Sequence, residues 1–80
     1  MVNSLGFDKN ALAANLRAMR ARLDKTQGDI AREVGVNVGT LVKYESGDMV
    51  PGAENLFALA GALGCTPNDL MGWPGERKAG

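Results

Sequence analysis

The chain has 80 residues, in which nine Lys and Arg balance nine Asp and Glu, and it contains no histidine. A chain of this length folds as one small domain and can hardly enclose a large catalytic cleft. One cysteine and no histidine exclude an internal disulfide framework, a histidine-based zinc site and the usual histidine general base. We therefore expect neither enzymatic activity nor a cofactor.

The first predicted helix begins near Asp8, whose carboxylate can cap the free N–H groups of the first turn. Phe7 precedes this cap and Leu12 follows it at the spacing of a hydrophobic staple. Apolar residues then recur at helical spacing and predict one buried stripe, made of Leu12, Leu16, Met19 and Leu23.

Two further helices are predicted from their caps. Thr26 followed by Asp29 forms an acidic variant of the capping box, and Gly35 can end that helix with a positive φ. Asn37 caps the next helix, which Gly47 ends. The buried sides of the two helices are predicted to carry Ile30, Ala31, Val34, Leu41 and Tyr44.

The remaining elements are a loop over residues 48–52, a fourth helix and a short fifth helix. Gly64 ends the fourth helix, and Thr66 with Pro67 begins the fifth. The apolar residues expected to complete the core are Leu56, Leu59, Ala60, Leu63, Leu70 and Met71. The predicted fold is all-α with five helices, comprising an arm (1–7), a domain (8–71) and a flexible tail (72–80). Trp73, in that tail, either covers the core or forms a dimer contact.

Residues 26–45 have the pattern of a helix-turn-helix, because two short helices are joined by about three residues with a glycine at the bend. Ala31 supplies the small side chain needed where the helices approach, and Leu41 with Tyr44 holds the second helix on the core. The residues left for its outward side are Val38, Gly39, Thr40, Val42 and Lys43.

Residues 12–71 resemble the lambda-repressor-like (Cro and repressor type) helix-turn-helix domains of phages and bacteria. The matching elements are T-Q-x-D-I-A, V-G-V, Y-E-x-G, a proline after the loop, and L-x-x-L-A-x-A-L-G. The resemblance implies a transcriptional regulator that binds operator double-stranded DNA as a homodimer. The helix near 38–45 would then enter the major groove.

The resemblance also implies a set of DNA-binding residues, which are Arg17, Arg20, Gln27, Asn37, Val38, Gly39, Thr40 and Lys43. Gln27 and Asn37 match phosphate contacts, and the two arginines lie where a DNA backbone would pass. The other four match positions that meet base edges. Val38 can contact only a thymine methyl and Gly39 has no side chain, so we expect specificity to depend also on DNA shape and on a partner.

An alternative is a degenerate helix-turn-helix that binds protein, as an antirepressor or antitoxin. The zero net charge and the apolar Met49–Val50 loop favour this alternative. Glu45 is expected to be a structural hydrogen-bond or ion-pair partner and Cys65 a small buried hydrophobe. The longest apolar stretch, residues 56–65, is far shorter than the roughly 20 residues that span a bilayer. A cytoplasmic protein without a membrane partner is therefore expected.

Overall fold

The computed structural model describes residues 7–72, and within them the chain forms five α-helices and no strand. The all-α, five-helix prediction is confirmed. The predicted arm and tail, with Trp73, lie outside the described residues apart from Phe7 and Gly72. The helices are α1 (Lys9–Arg22), α2 (Gln27–Val34), α3 (Val38–Ser46), α4 (Ala53–Leu63) and α5 (Pro67–Met71).

The helices begin at the predicted caps. Asp8 Oδ1 accepts a hydrogen bond from the Asn10 N–H at 2.9 Å. Thr26 and Asp29 form a complete capping box, in which each side chain accepts from the other residue's N–H at 3.0 Å. Thr26 lowers the pKa of Asp29, first through its backbone N–H and then through its side chain. The same box, from Thr66 to Asp69, begins α5.

Glycines in the left-handed region end α2 and α3. Gly35 has φ +90° and Gly47 has φ +86°, conformations that L side chains rarely adopt. The Gly47 N–H donates to Lys43 O, which satisfies one of the carbonyls left free at the end of α3. Each of these two helices ends at a single left-handed glycine, so the chain can change direction sharply both before and after α3.

One apolar core holds the five helices together. α3 packs against α1 and α2, α2 packs against α4, and α5 packs against α1 and α4. Tyr44 is buried as predicted, and its hydroxyl accepts a hydrogen bond from Asn55 Nδ2 at 2.9 Å. Phe7 packs against the edge of the core. The core itself consists of Leu12, Leu16, Ile30, Ala31, Leu41, Tyr44, Leu59, Ala60, Leu63 and Leu70.

The exposure of three apolar side chains did not follow from the sequence. Leu23 is 42% exposed, so its placement in the buried stripe was wrong. The reason is that α1 ends at Arg22, and Leu23 is the cap residue after the last full turn. Phe57, on α4, did not stand out in the sequence and is 72% exposed. Met71 is only half-buried beside the fully buried Leu70.

Cys65 was predicted to be buried, but it is only half-buried at the edge of the core, against which it packs. Burial, with a smaller contribution from the negative charge of Asp69, raises the pKa of its thiol. A raised pKa disfavours the reactive thiolate, which agrees with a packing role. In the part of the chain that the structure describes, every helix is too short or too polar to cross a bilayer.

Replacing Gly47 with alanine is expected to lower the free energy of unfolding more than replacing Gly35. An alanine in the left-handed region costs about 1–2 kcal/mol at either position. At Gly47 the added Cβ would also lie 2.9 Å from Asn10 Oδ1, whereas at Gly35 it meets nothing within 4 Å. Urea denaturation of both variants measures the difference, and equal losses would contradict the prediction, because they would mean that the exposed Asn10 side chain moves aside without cost.

Candidate nucleic-acid interface

The turn between α2 and α3 consists of three residues, Gly35, Val36 and Asn37, as predicted. The N–H groups of Gly35 and Val36 both donate to Ala31 O, at 2.8 and 3.0 Å. Ala31 is 3% exposed, and its small side chain lets the two helices approach closely. The turn therefore fixes where α3 begins.

Asn37 caps α3 through one side-chain oxygen. Its Oδ1 accepts from the Thr40 N–H at 3.1 Å and from the Thr40 hydroxyl at 3.0 Å. Thr40 is half-buried, so it lies at the edge of the exposed side of α3 rather than at its centre. Asn37 itself is exposed, and its amide Nδ2 is the donor that remains for an external acceptor.

The outward side of α3 is accessible in the single chain. We call it the recognition face and define it by the exposed residues Val38, Gly39, Val42, Lys43 and Ser46. Val38 is 47% exposed and Val42 42%, although both side chains are apolar. The opposite side of the helix, which carries Leu41, Tyr44 and Glu45, is buried. No other described part of the chain covers the recognition face.

A buried carboxylate fixes α3 relative to α1 and α2. Glu45 is 4% exposed, and its Oε2 accepts from Arg20 Nε at 2.7 Å. Its Oε1 accepts from Arg20 Nη2 and from Gln27 Nε2, both at 3.0 Å. The hydrogen bond with Glu45 is the main cause that raises the pKa of Arg20 above its usual value. Glu45 is thus a structural ion-pair partner, as expected.

Both arginines predicted to lie along a DNA backbone make contacts within the domain. Arg20 also donates from Nη1 to Lys25 O at 2.9 Å, and its side chain is 22% exposed. Arg17 is exposed, and its Nη1 donates to the backbone carbonyl of Glu45. The arginines therefore hold α1 against the end of α3 and the start of α2.

The other ion pairs are more exposed. Lys25 Nζ lies 2.6 Å from Glu33 Oε2, with side chains that are 37% and 41% exposed. Arg32 lies 3.5 Å from Asp29 on the surface of α2. Among residues 7–72, the acidic and cysteine side chains form no group of three or more that could hold a metal ion.

The structure thus separates the predicted site into two parts. Asn37, Val38, Gly39 and Lys43 lie on the exposed side of the α3 segment. Gln27, Arg17 and Arg20 lie behind them and contact Glu45. Val42 was predicted on the outward side of this helix but was left out of the DNA-binding set, although its i, i+4 spacing from Val38 places both on the recognition face.

A family model described as "Helix-turn-helix" matches residues 16–70, more than half of the chain. The chain is similar to the cryptic phage CTXphi transcriptional repressor RstR of Vibrio cholerae serotype O1. They are 39% identical over 57 residues, 71% of this chain and 51% of that protein. Repressor protein C2 of Salmonella phage P22 is 33% identical over 60 residues, 75% of this chain and 28% of that protein. The chain spans about half or less of the length of these curated relatives.

A solved structure of the P22 relative agrees with the match to the helix-turn-helix family. The structure of the P22 c2 repressor protein in complex with synthetic operator 9T superposes with a TM-score of 0.73 and 33% identity. The superposition covers 75% of this chain and 91% of that chain.

Replacing Glu45 with alanine is expected to lower the free energy of unfolding by about 3 kcal/mol, because Arg20 would lose its partner at a partly buried site. The matched control is Glu33→Ala, which breaks the exposed pair with Lys25 and should cost less than about 1 kcal/mol. Chemical denaturation compares the two variants. Similar small losses in both would contradict the role of Glu45 in holding α3.

Proposed function

The chain belongs to the helix-turn-helix family and has the lambda-repressor-like fold, and from this premise we propose that it is a sequence-specific transcriptional regulator that binds operator DNA. The observation that carries the proposal is the recognition face, which is exposed on a helix whose other side is firmly packed. If residues 38–43 had been buried within the domain, no exposed helix would remain to enter a DNA groove. The operator bound by the P22 c2 relative supports the same activity.

In the proposed complex, α3 lies in the major groove and the start of each motif helix meets the DNA backbone. Asn37 Nδ2 and the second N–H of the Gln27 amide are the donors for phosphate oxygens. Lys43 is the charged side chain on the recognition face and donates to a guanine edge or to a phosphate. Val38, Gly39 and Thr40 complete the contact with the groove.

Arg17 and Arg20 contribute to this complex mainly by holding α3 in place. Their hydrogen bonds to Glu45 set the tilt of α3, and the exposed Arg17 retains further N–H donors for a backbone phosphate. Since the chain has equal numbers of acidic and basic residues, attraction to DNA depends on these local donors rather than on an overall positive charge.

We propose that the regulator acts in the cytoplasm as a homodimer, with two recognition helices about 34 Å apart, one turn of the duplex. The proposed activity is binding, without catalysis. Operators would accordingly contain two half-sites related by twofold symmetry, one for each copy of α3.

The second candidate function is recognition of a protein partner. Met49, Val50 and Phe57 are 43%, 47% and 72% exposed, and exposed apolar residues suit a protein surface. Selection of binding duplexes from a random pool distinguishes the two functions. Recovery of a common twofold motif supports the regulator, whereas no enrichment at low salt, together with co-purification of a protein free of nucleic acid, supports the second candidate.

Operator affinity is expected to fall with salt. If each subunit neutralises about three phosphates, the logarithm of the association constant should fall against the logarithm of salt concentration with a slope of about −5. Fluorescence anisotropy with a selected operator between low and physiological salt measures this slope. A slope near zero would contradict binding through phosphate contacts.

Replacing Lys43 with alanine is expected to weaken operator binding. If the side chain donates to a base, the loss should be about 1–3 kcal/mol and the preference for one base pair in each half-site should relax, whereas a phosphate contact would weaken all operators alike. Arg22→Ala is the charge-matched control, because Arg22 lies beside Cys65 and Asp69 rather than on α3. Binding to a panel of single-base operator variants measures both effects. An unchanged affinity and preference in Lys43→Ala would remove this side chain from the interface.

A further inference from the structure

A cavity of about 510 Å³ lies away from the recognition face, where the last turns of α1 and α4 meet the start of α5. Its volume is within the range of about 300–1,000 Å³ that small-molecule sites occupy. The hydrogen bonds that hold α3 in place join Glu45 to Arg17, Arg20 and Gln27, and these four residues do not line the cavity. The cavity is therefore separate from the proposed DNA contact.

Apolar side chains line one part of the cavity. Met19 is half-buried and Leu63 is buried, whereas Leu23 is 42% exposed just after α1. Cys65, which connects α4 to α5, adds a half-buried thiol. An apolar group placed against Met19 and Leu23 would remove their exposed surface from water, which is favourable.

One positive and one negative side chain also line the cavity, and they belong to different helices. Arg22 is the last residue of α1, and Asp69 lies in α5. Burial is the main cause that raises the pKa of the Cys65 thiol, but Asp69 raises it further and Arg22 lowers it. Both charges therefore lie near the same sulfur atom.

The two charges do not neutralise each other. Among residues 7–72, Arg22 takes part in no ion pair, so its guanidinium does not reach the carboxylate of Asp69. Asp69 Oδ2 accepts from the Thr66 N–H at 3.0 Å, which leaves Oδ1 as an acceptor within the described chain. The cavity thus presents a donor group and an acceptor group with a gap between them.

We propose that this cavity binds a free apolar α-amino acid. Such a ligand carries a carboxylate and an ammonium group on one carbon atom, so it pairs with Arg22 and Asp69 at the same time. Its apolar side chain lies against Met19, Leu23 and Leu63. A simple anion would be repelled by Asp69 and a simple cation by Arg22, so the zwitterion complements the cavity better than either. This site is additional to DNA binding and does not depend on it.

An NMR titration of the ¹⁵N-labelled chain with L-leucine tests the site. The expected result is a set of saturable amide shifts at residues 19–23, 63–65 and 69, with the amides of α3 unchanged. The leucine analogue 4-methylpentanoate lacks the amino group and 3-methylbutylamine lacks the carboxylate, and each should bind about fivefold more weakly. Glycine keeps both charges but lacks the apolar side chain, and it should cause no saturable shift.

Variants of the two charged residues provide a second test. Arg22→Gln and Asp69→Asn should each weaken leucine binding about fivefold. The matched controls are Arg32→Gln and Asp29→Asn, because Asp29 forms the same capping box at the start of α2 and Arg32 lies beside it, outside the cavity. The controls should leave leucine affinity unchanged, and equal losses in the controls would overturn the assignment of Arg22 and Asp69.

Cys65 is the single cysteine of the chain and reports whether the cavity is filled. Leucine should slow the alkylation of Cys65 by iodoacetamide, and glycine at the same concentration should not. If leucine, methionine and phenylalanine all fail to cause saturable shifts around the cavity, the proposal is wrong, whether or not the chain binds an operator. Protection of Cys65 that rises with protein concentration in the absence of ligand would also overturn it, and would assign the cavity to a contact between two copies.

Discussion

The orientation of α3 depends on the carboxylate of Glu45, which is buried where α1, α2 and α3 meet. Burying an unpaired carboxylate costs several kcal/mol, so its position requires partners, which Arg20 and Gln27 supply through three hydrogen bonds. Arg20 belongs to α1 and Gln27 is the first residue of α2. One side chain thus ties the whole helix-turn-helix to α1, and the tilt of the recognition face follows from that junction.

The two sides of α3 meet opposite requirements. Its inner side buries Leu41 and Tyr44 beside the hydrogen-bonded carboxylate of Glu45. This side therefore packs against the core and also fixes the position of the helix. Its outer side carries two exposed valines, a glycine, one lysine and one serine. A face with so few polar groups suits contact with the apolar features of a groove, while phosphate contacts from the ends of the helices would supply the electrostatic attraction. The balanced net charge of the chain is compatible with this division.

Features set by neighbouring residues could be predicted from the sequence, and those set by distant ones could not. The caps at Thr26 and Asn37 depend on residues three positions away, so the helix boundaries followed from spacing. The contact between Arg20 and Glu45 joins residues 25 positions apart, and no local pattern indicates that the arginine faces inward. Phe57 was missed because an exposed phenylalanine on α4 has the same local pattern as a buried one.

The most direct test of the central claim is an NMR titration of the ¹⁵N-labelled chain with a selected operator duplex. If α3 enters the major groove, the largest amide shifts should fall on residues 37–43, with a second set near Gln27. The amides of the buried core should shift little, because the junction at Glu45 keeps the helices in place. Shifts concentrated on α4 around Phe57, with α3 unchanged, would contradict the assignment of α3 as the DNA-reading helix.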